Sequence, residues 1–227
     1  MDLKTKIELL SNHVTPERLE KIMRISADRT RYLTVVLENI FYTQNMSAVT
    51  RTCECLGIQD LYQIGAASQG RLNSDVAKGA SCWTDIHRMT KLPITEAVSQ
   101  LKAAGYRIVA AMPAPGASSL YDLDLNKGKI AVAMGNESEG TGDEVKALAD
   151  EFMTIPMYGF TESFNVSVSA AIILSELMNR LRRSDIDWRL PPDELDELRY
   201  RWIRRCIKQG DKIEAEYETR LEHPNAQ

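Results

Sequence analysis

Short apolar segments alternate with amphipathic segments along most of this 227-residue chain, and that alternation constrains the fold more than any other feature. The apolar segments have the length of β-strands, and the segments between them have helical periodicity. The strand from Leu33 to Leu37 is almost continuously apolar, which is typical of strands buried on both faces. The pattern therefore predicts an α/β fold, a parallel sheet flanked by helices. The other predicted strands are DLYQIG, TDIHRM, YRIVAAM, KIAVAMG and EFMTIPM.

Residues typical of helix ends mark several predicted helices. The helix Thr15–Ala27 begins with a threonine N-cap and a proline at the first helical position. The helix Asn45–Leu56 is predicted to begin with Asn45 as its N-cap and to end at Gly57. A long helix is predicted for Asn165–Arg183, and one further long, charged helix is predicted after Pro192.

The composition excludes several kinds of protein. A hydrophobic content of 44% is enough for a full core, and no low-complexity tract suggests disorder away from the termini. The N-terminal segment does not have the pattern of a signal peptide, and no apolar run approaches the roughly 20 residues of a membrane span. The four cysteines and three histidines are scattered, so reduced thiols are expected and no metal site.

The charge distribution leaves two interpretations open. The net charge of −4 is unusual for a protein that binds nucleic acid non-specifically. Three segments are nevertheless rich in arginine, and the last two contain Trp188, Tyr200 and Trp202. They are either solvated helix faces or surfaces that contact RNA. The segments are Arg24–Arg31, Arg180–Arg189 and Arg199–Lys208.

Three polar segments follow predicted strands, at the edge of a parallel sheet where ligands collect. The first is NMSAVTRTCECLG, and the second, VAMGNESEG, lacks the lysine and the glycine spacing of a phosphate-binding loop. The third, IPMYGFTESFNVSVSAAIIL, leads into a helix whose first turns contain only small residues. Small side chains let a ligand or another backbone approach closely, so the sequence predicts a binding site at this edge.

In order, spacing and loop position, these segments resemble the three motifs of the SpoU/TrmH branch of the SPOUT RNA 2′-O-ribose methyltransferases. The resemblance covers about Tyr32 to Leu181. It implies a deep trefoil knot in the C-terminal part of the sheet, and a homodimer formed through the knot region and the last helix of the catalytic domain. It also implies three parts: an N-terminal helical extension (1–31), a catalytic domain (32–184, with the knot at about 130–184) and a C-terminal helical extension (185–227).

The resemblance implies that S-adenosylmethionine is the cofactor. Residue-by-residue transfer places its adenosine against side chains at the ends of three strands and in the third motif. Position 111 is often threonine in the family, and alanine here leaves that contact to the backbone. The cofactor-binding residues implied are Ala111, Met112, Gly135, Ile155, Met157 and Phe164.

The resemblance also implies the catalytic residues. Arg51 matches the catalytic arginine, as a clamp that binds an RNA phosphate or as the group that takes the proton; a free guanidinium is a poor base, but the sequence leaves both roles open. Asn45, Ser163 and Asn165 match the residues that hold this arginine and the ribose. Glu137 matches a glutamate that orients backbone or amide groups.

The resemblance implies that the substrate is tRNA, with methylation of the guanosine at position 18 of the D loop, in the cytoplasm. Helical extensions at both ends favour this over an rRNA substrate or another tRNA position. The presence of all five catalytic residues argues against a non-catalytic RNA-binding protein, and the sequence leaves all three alternatives open. The basic segments would contact RNA phosphates and Trp202 would stack on bases. Arg71 and Lys78 are further candidates for RNA contact.

Overall fold

The structure, a computed structural model, describes residues 1–65, 72–136 and 138–222. The chain divides into two compact units. The larger unit is Thr30–Trp188, and the smaller unit is made from both chain ends, Met1–Arg29 and Arg189–Gln227. The three-part division predicted from the sequence, at 1–31, 32–184 and 185–227, stays a prediction.

The larger unit is built on a seven-stranded sheet in which every neighbouring pair of strands is parallel. The predicted parallel α/β fold is therefore confirmed. The strand order is β3-β2-β1-β6-β4-β7-β5, and the two-residue strand β5 was not predicted. The strands are β1 (Leu33–Glu38), β2 (Asp60–Ile64), β3 (Asp85–Arg88), β4 (Arg107–Ala111), β5 (Ser118–Ser119), β6 (Ile130–Met134) and β7 (Glu151–Thr154).

The helices connect these strands and also form the smaller unit. Short 3₁₀ turns occur at Ala80–Cys82 and Leu120–Asp122. The α-helices are α1 (Leu3–Ser11), α2 (Pro16–Ser26), α3 (Thr43–Leu56), α4 (Ser74–Ala77), α5 (Ile94–Ala103), α6 (Asp143–Leu148), α7 (Val166–Arg182), α8 (Pro192–Cys206) and α9 (Gly210–Glu222).

Apolar side chains on alternate positions of the central strands pack on opposite faces of the sheet. Val35 of β1 belongs to a buried cluster with side chains of α3 and α7, including Val49 and Leu174. The next residue, Val36, belongs to the other cluster, which includes Leu101 of α5. Because both faces are covered, every residue of β1 and β6 is buried, as the continuous apolar segments predicted.

Helix α3 begins earlier than predicted. Its N-cap is Tyr42 rather than Asn45, so the predicted capping role of Asn45 is wrong. Asn45 lies in the first helical turn, where its side-chain oxygen accepts a hydrogen bond from the Asn165 amide at 3.3 Å. The predicted end is confirmed, because Gly57 adopts a left-handed conformation with a φ of 82°.

The single C-terminal helix predicted from the sequence is wrong, because α8 and α9 are separated by a turn. Ile207 leaves the helical region and Gln209 has a φ of 61°. The turn brings Glu214 of α9 to Lys6 of α1 at 2.7 Å and to the hydroxyl of Tyr200 at 2.7 Å. These contacts within the smaller unit stabilise the arrangement of two helices joined by a turn.

Several aromatic and basic residues predicted to contact RNA are structural. Trp202 is only 4% exposed and lies under the guanidinium of Arg29 at 5.3 Å, so its predicted role in base stacking is wrong. Trp188 is also buried. Arg180 donates to the carbonyls of Leu120 and Leu123. In these parts of the arginine-rich segments, the side chains make contacts within the protein and are not available to contact RNA.

Candidate functional site

A cavity of about 280 Å³ lies at the carboxyl ends of strands β4, β6 and β7. Ala111 ends β4, Met134 ends β6 and Thr154 ends β7, and all three line the cavity. This is the edge of a parallel sheet where ligand sites are expected. The first turns of α7 close it from one side through Val166, which lies among the lining residues.

All six residues predicted to bind a cofactor line this cavity. They come from three separate segments of the chain, and the structure brings them together. Their role towards a cofactor stays a prediction. They are Ala111, Met112, Gly135, Ile155, Met157 and Phe164.

The loop after β6 is tightly closed on itself. Asn136 and Gly140 exchange backbone hydrogen bonds of 3.1 Å in both directions. The Asn136 side-chain oxygen also accepts from the backbone amides of Ser138 and Glu139. A Cβ atom on Gly135 would lie 2.0 Å from the Gly140 carbonyl carbon, so only glycine fits at position 135.

Buried Glu38 holds the far end of this loop. Its carboxylate accepts a hydrogen bond from the Gly142 amide at 2.8 Å, just before α6 begins. Burial raises the pKa of Glu38, and the bond from Gly142 opposes that shift. A Cβ on Gly142 would lie 2.3 Å from a Glu38 oxygen, so the carboxylate and the glycine fit each other.

The third polar segment ends in a side-chain network that fixes the start of α7. Asn165 caps the helix by accepting from the Ser167 amide at 2.9 Å and the Ser167 hydroxyl at 2.6 Å. Its amide nitrogen donates to Asn45 of α3. The small residues that follow have two uses, because Ser169 lines the cavity while Ala170 is fully buried in the core cluster shared with α3.

The predicted catalytic residues are distributed over this edge rather than gathered in one place. Ser163 lines the cavity, and Asn45 and Asn165 are bonded to each other. Arg51 is exposed on α3, does not line the cavity and makes no hydrogen bond or ion pair with any residue that the structure describes. Glu137 lies outside the described residues, as does Arg71 among the candidates for RNA contact.

Some lining residues were not assigned a role in the site from the sequence. Ser169 and Ile173 lie three and seven residues after Val166, and this helical spacing could have identified one face of α7. Thr141 follows the second motif directly, and Glu162 precedes Ser163 in the third, but neither carries a pattern that marks it.

The lining has the chemistry of a site for a nucleoside. Methionine, isoleucine and phenylalanine side chains supply apolar walls for a flat base, and hydroxyl and amide groups can bond a ribose. Within residues 1–65, 72–136 and 138–222, no group of three or more His, Cys, Asp or Glu side chains could hold a metal ion. Over the same ranges, none of the helices has the length and apolarity needed to cross a membrane.

Comparison with known proteins gives a consistent result. The SpoU rRNA Methylase family model matches residues 32–175. The chain is 39% identical over 213 residues to the tRNA (guanosine(18)-2′-O)-methyltransferase of Borreliella burgdorferi, covering 94% of this chain and 96% of that protein. It is 32% identical to the Escherichia coli K12 protein of the same name, over 72% of this chain and 70% of that one. The crystal structure of the Aquifex aeolicus TrmH/SpoU tRNA modifying enzyme matches with a TM-score of 0.74 and 26% identity, over 85% of this chain and 98% of that one.

Proposed function

Because the chain belongs to the SpoU rRNA methylase family, we propose that it is a tRNA 2′-O-ribose methyltransferase that uses S-adenosylmethionine. The proposed acceptor is the ribose 2′-hydroxyl of guanosine 18. The observation that carries this proposal is the 39% identity, over nearly the full length of both chains, to a relative named for that reaction.

The cavity at the carboxyl edge is the proposed cofactor site. When bound there, S-adenosylmethionine supplies an electrophilic methyl group on a positively charged sulfur. Ile155, Met157 and Phe164 provide apolar contacts for the adenine, and Ala111 and Gly135 leave room beside the ends of β4 and β6. The closed loop from Gly135 to Gly142, held by Glu38, keeps that wall in place before the cofactor binds.

Arg51 is proposed to bind the phosphate next to the reacting ribose. Its guanidinium is exposed and has no partner among the described residues, which leaves its donors available to two phosphate oxygens. A bound phosphate fixes the ribose, and the positive charge favours loss of the hydroxyl proton. The ribose is proposed to be oriented between Arg51 and the cofactor by three residues: Asn45, the Asn165 to which it is bonded, and Ser163 at the cavity wall. Glu137 is proposed to orient nearby backbone or amide groups.

The trefoil knot is proposed for about residues 130–184. Two observations support it. Strand β6 lies between β1 and β4, so the chain returns to the middle of the sheet after it has formed β1, β2 and β3 on one side and β4 and β5 on the other. The fold also matches the TrmH/SpoU enzyme of Aquifex aeolicus over 85% of this chain.

A homodimer is proposed through the knot region and α7. Tyr158 and Phe160 are almost fully exposed just before α7, and Val168 in its first turns is 44% exposed. Exposed apolar groups of this size usually mark an interaction surface. Light scattering on the purified protein would test this, and a monomer at micromolar concentration would contradict it.

The smaller unit is proposed to contact tRNA phosphates, in the cytoplasm where tRNA is modified. Much of the arginine in the predicted basic segments is used in structural contacts, as for Arg29 and Arg180. Helix α2 instead presents Arg18, Lys21 and Arg24, which are exposed and form no ion pair with a described residue. Phosphate contacts by such residues supply much of the affinity for RNA.

The experiment that tests the function is transfer of a labelled methyl group from S-adenosylmethionine to bulk tRNA and, separately, to rRNA. The modified nucleotide is then mapped. Incorporation at guanosine 18 of tRNA is the expected result. Incorporation only into rRNA, or at another tRNA nucleotide, would contradict the substrate assignment and leave the methyltransferase assignment intact. Cofactor binding without methyl transfer to either RNA would contradict the assignment as an RNA methyltransferase.

A further inference from the structure

The cavity has an uneven distribution of charge. Among the described residues that line it, Glu162 is the one with an ionisable side chain. The remaining lining side chains are apolar, hydroxyl or amide groups, or glycine. A single carboxylate among neutral groups gives the mouth of the cavity a negative potential that nothing else in the described lining balances.

Glu162 has no hydrogen bond or ion pair with any described residue. It is exposed, and it directly precedes Ser163 and Phe164, which also line the cavity. Buried Glu38 in the same region accepts a bond from the Gly142 amide, as buried polar groups normally do. Glu162 has no such bond with a described residue, so its carboxylate is available to a ligand in the cavity.

We propose that Glu162 is a specificity-determining residue that recognises the positive charge on the sulfur of the cofactor. This inference rests on the proposed function, because it assumes that S-adenosylmethionine occupies the cavity. An opposite charge a few ångströms from the sulfonium stabilises the bound cofactor. A site at the protein surface limits the gain to a modest factor, because water screens the interaction.

The charge on sulfur distinguishes the cofactor from its product. In methyl transfer the carbon–sulfur bond breaks with its electron pair on sulfur, a carbon–oxygen bond forms, and the hydroxyl proton leaves to solvent. The sulfonium thereby becomes the neutral thioether of S-adenosylhomocysteine. Glu162 therefore favours binding of the cofactor over the product, which promotes exchange of spent for fresh cofactor.

The test is calorimetric titration of wild-type protein and the Glu162→Gln variant with S-adenosylmethionine and with S-adenosylhomocysteine, without RNA. We expect the variant to bind S-adenosylmethionine about fivefold more weakly, as expected for one partly screened charge pair, and S-adenosylhomocysteine with unchanged affinity. The Glu162→Asp variant keeps the charge and should restore part of the preference for the cofactor.

Glu139→Gln is the matched control. Glu139 lies in the neighbouring loop and is exposed, but it does not line the cavity. Its substitution removes the same charge from the same edge of the sheet. In this variant we expect the ratio of the affinities for S-adenosylmethionine and S-adenosylhomocysteine to stay at the wild-type value. If Glu139→Gln changed this ratio as much as Glu162→Gln does, a general surface potential would explain the effect and the proposal would be overturned.

The remaining outcomes separate this inference from the proposed function. An equal loss of affinity for both ligands in Glu162→Gln would overturn the inference, because both carry the same amino and carboxylate groups. Unchanged affinities with a large loss of kcat would also overturn it and identify Glu162 as the group that takes the proton. Wild-type protein that binds neither ligand would instead contradict the proposed cofactor site.

Discussion

At the scale of single residues, Gly135 shapes the wall of the proposed cofactor cavity, because the backbone of Gly140 lies against it. A Cβ atom there would lie 2.0 Å from the Gly140 carbonyl carbon and oxygen. The Gly135→Ala variant must therefore displace the loop, and we expect at least a tenfold loss of affinity for S-adenosylmethionine and about 1–3 kcal/mol of lost stability. Calorimetric titration and chemical denaturation measure the two effects.

Gly159 provides the control for that variant. It lies in the third polar segment, and the nearest atom to an added Cβ would be 4.0 Å away. The Gly159→Ala variant should therefore keep wild-type stability and cofactor affinity. Wild-type cofactor binding by Gly135→Ala would show that the loop can move without affecting the cavity.

Arg51 is expected to act on the acceptor rather than on the cofactor. It is exposed on α3 and does not line the cavity. The Arg51→Lys variant keeps a positive charge but loses the planar fork that binds two phosphate oxygens. We expect kcat to fall by about 100-fold or more, the magnitude expected for misplaced reactants. The affinity for S-adenosylmethionine should be unchanged. Single-turnover methyl transfer measures the first quantity and calorimetry measures the second.

Arg88 is a suitable comparison, because it is exposed on β3 and does not line the cavity. The Arg88→Lys variant should keep wild-type turnover. A parallel loss of cofactor affinity in Arg51→Lys would mean that Arg51 belongs to the cofactor site and that its proposed contact with phosphate is wrong.

Sequence motifs identified many of the residues that line the cavity. The six residues predicted to bind the cofactor were assigned from motifs in the sequence, and all line one cavity. The contact between Asn45 and Asn165 could not be predicted, because it joins side chains 120 residues apart. It depends on where α3 and α7 begin, and the N-cap of α3 is Tyr42, three residues before the predicted Asn45 and without a side-chain capping bond.

At the scale of secondary-structure elements, Glu38 connects the end of β1 to the start of α6. Burial raises its pKa, so the folded state holds the proton more tightly than the unfolded state. The stability that comes from protonated Glu38 is present below the unfolded-state pKa and is lost as the pH rises through the higher folded-state pKa. Glu38→Gln keeps an oxygen that can accept from Gly142 and has no charge to bury.

We therefore expect the stability of Glu38→Gln relative to wild type to increase as the pH rises from about 4 towards neutrality. The free energy of unfolding of both proteins, measured by urea denaturation across that range, checks the prediction. A difference between the two proteins that does not change with pH would show that Glu38 titrates alike in the folded and unfolded states.

Helix α9 is held to α1 and α8 by a polar network around Glu214. Burial would raise the pKa of Glu214, but hydrogen bonds from Lys6 and Tyr200 outweigh it and lower the pKa. The stability from this group is therefore present above its unfolded-state pKa and is lost as the pH falls through the lowered folded-state pKa. Acidification below about pH 4 should lower the protection of the α9 amides against hydrogen exchange, measured relative to the intrinsic exchange rate at each pH.

The Lys6→Met variant should reduce the protection of α9 in the same way at neutral pH, with about 1 kcal/mol of lost local stability. Glu214 loses its ion pair with Lys6 at 2.7 Å and keeps the one with Arg204 at 3.0 Å. Lys4→Met in the same helix is the control, since Lys4 is exposed and has no ion pair with a described residue. Equal exchange in both variants would contradict the role of the network.

The elements themselves were largely predictable, because strands and helices differ in hydrophobic period and their ends carry glycine and capping residues. The prediction of one C-terminal helix passed over Gly210, the residue at which α9 begins. A Cβ atom on Gly210 would lie 2.8 Å from the Arg204 carbonyl oxygen, so this glycine is a local signal of the turn. The turn is also stabilised by the contact of Glu214 with Lys6, which lies 208 residues away and could not be predicted from local sequence.

At the scale of the whole molecule, both ends of the chain form one compact unit, whereas the sequence predicted a helical extension at each end without indicating that the two meet. Helices α1 and α2 from the N-terminus pack with α8 and α9 from the C-terminus. Removal of either end alone would leave apolar faces of the other exposed, so truncation would not separate RNA binding from folding. Substitutions on one exposed helix are the better test of whether this unit contacts tRNA.

Helix α2 carries the exposed cations Arg18, Lys21 and Arg24 outside any ion pair with a described residue. Replacing all three with glutamine should weaken tRNA binding and leave the affinity for S-adenosylmethionine unchanged. Each phosphate contact adds about 0.7–0.9 to the slope of log K against log salt, so losing three should reduce that slope by about two to three.

Filter binding of tRNA at several salt concentrations measures the slope, and Glu17→Gln on the same helix controls for changes in α2. Weaker binding with an unchanged slope would mean that α2 acts through the fold, whereas an unchanged affinity would leave tRNA recognition to the larger unit, where Arg51 lies.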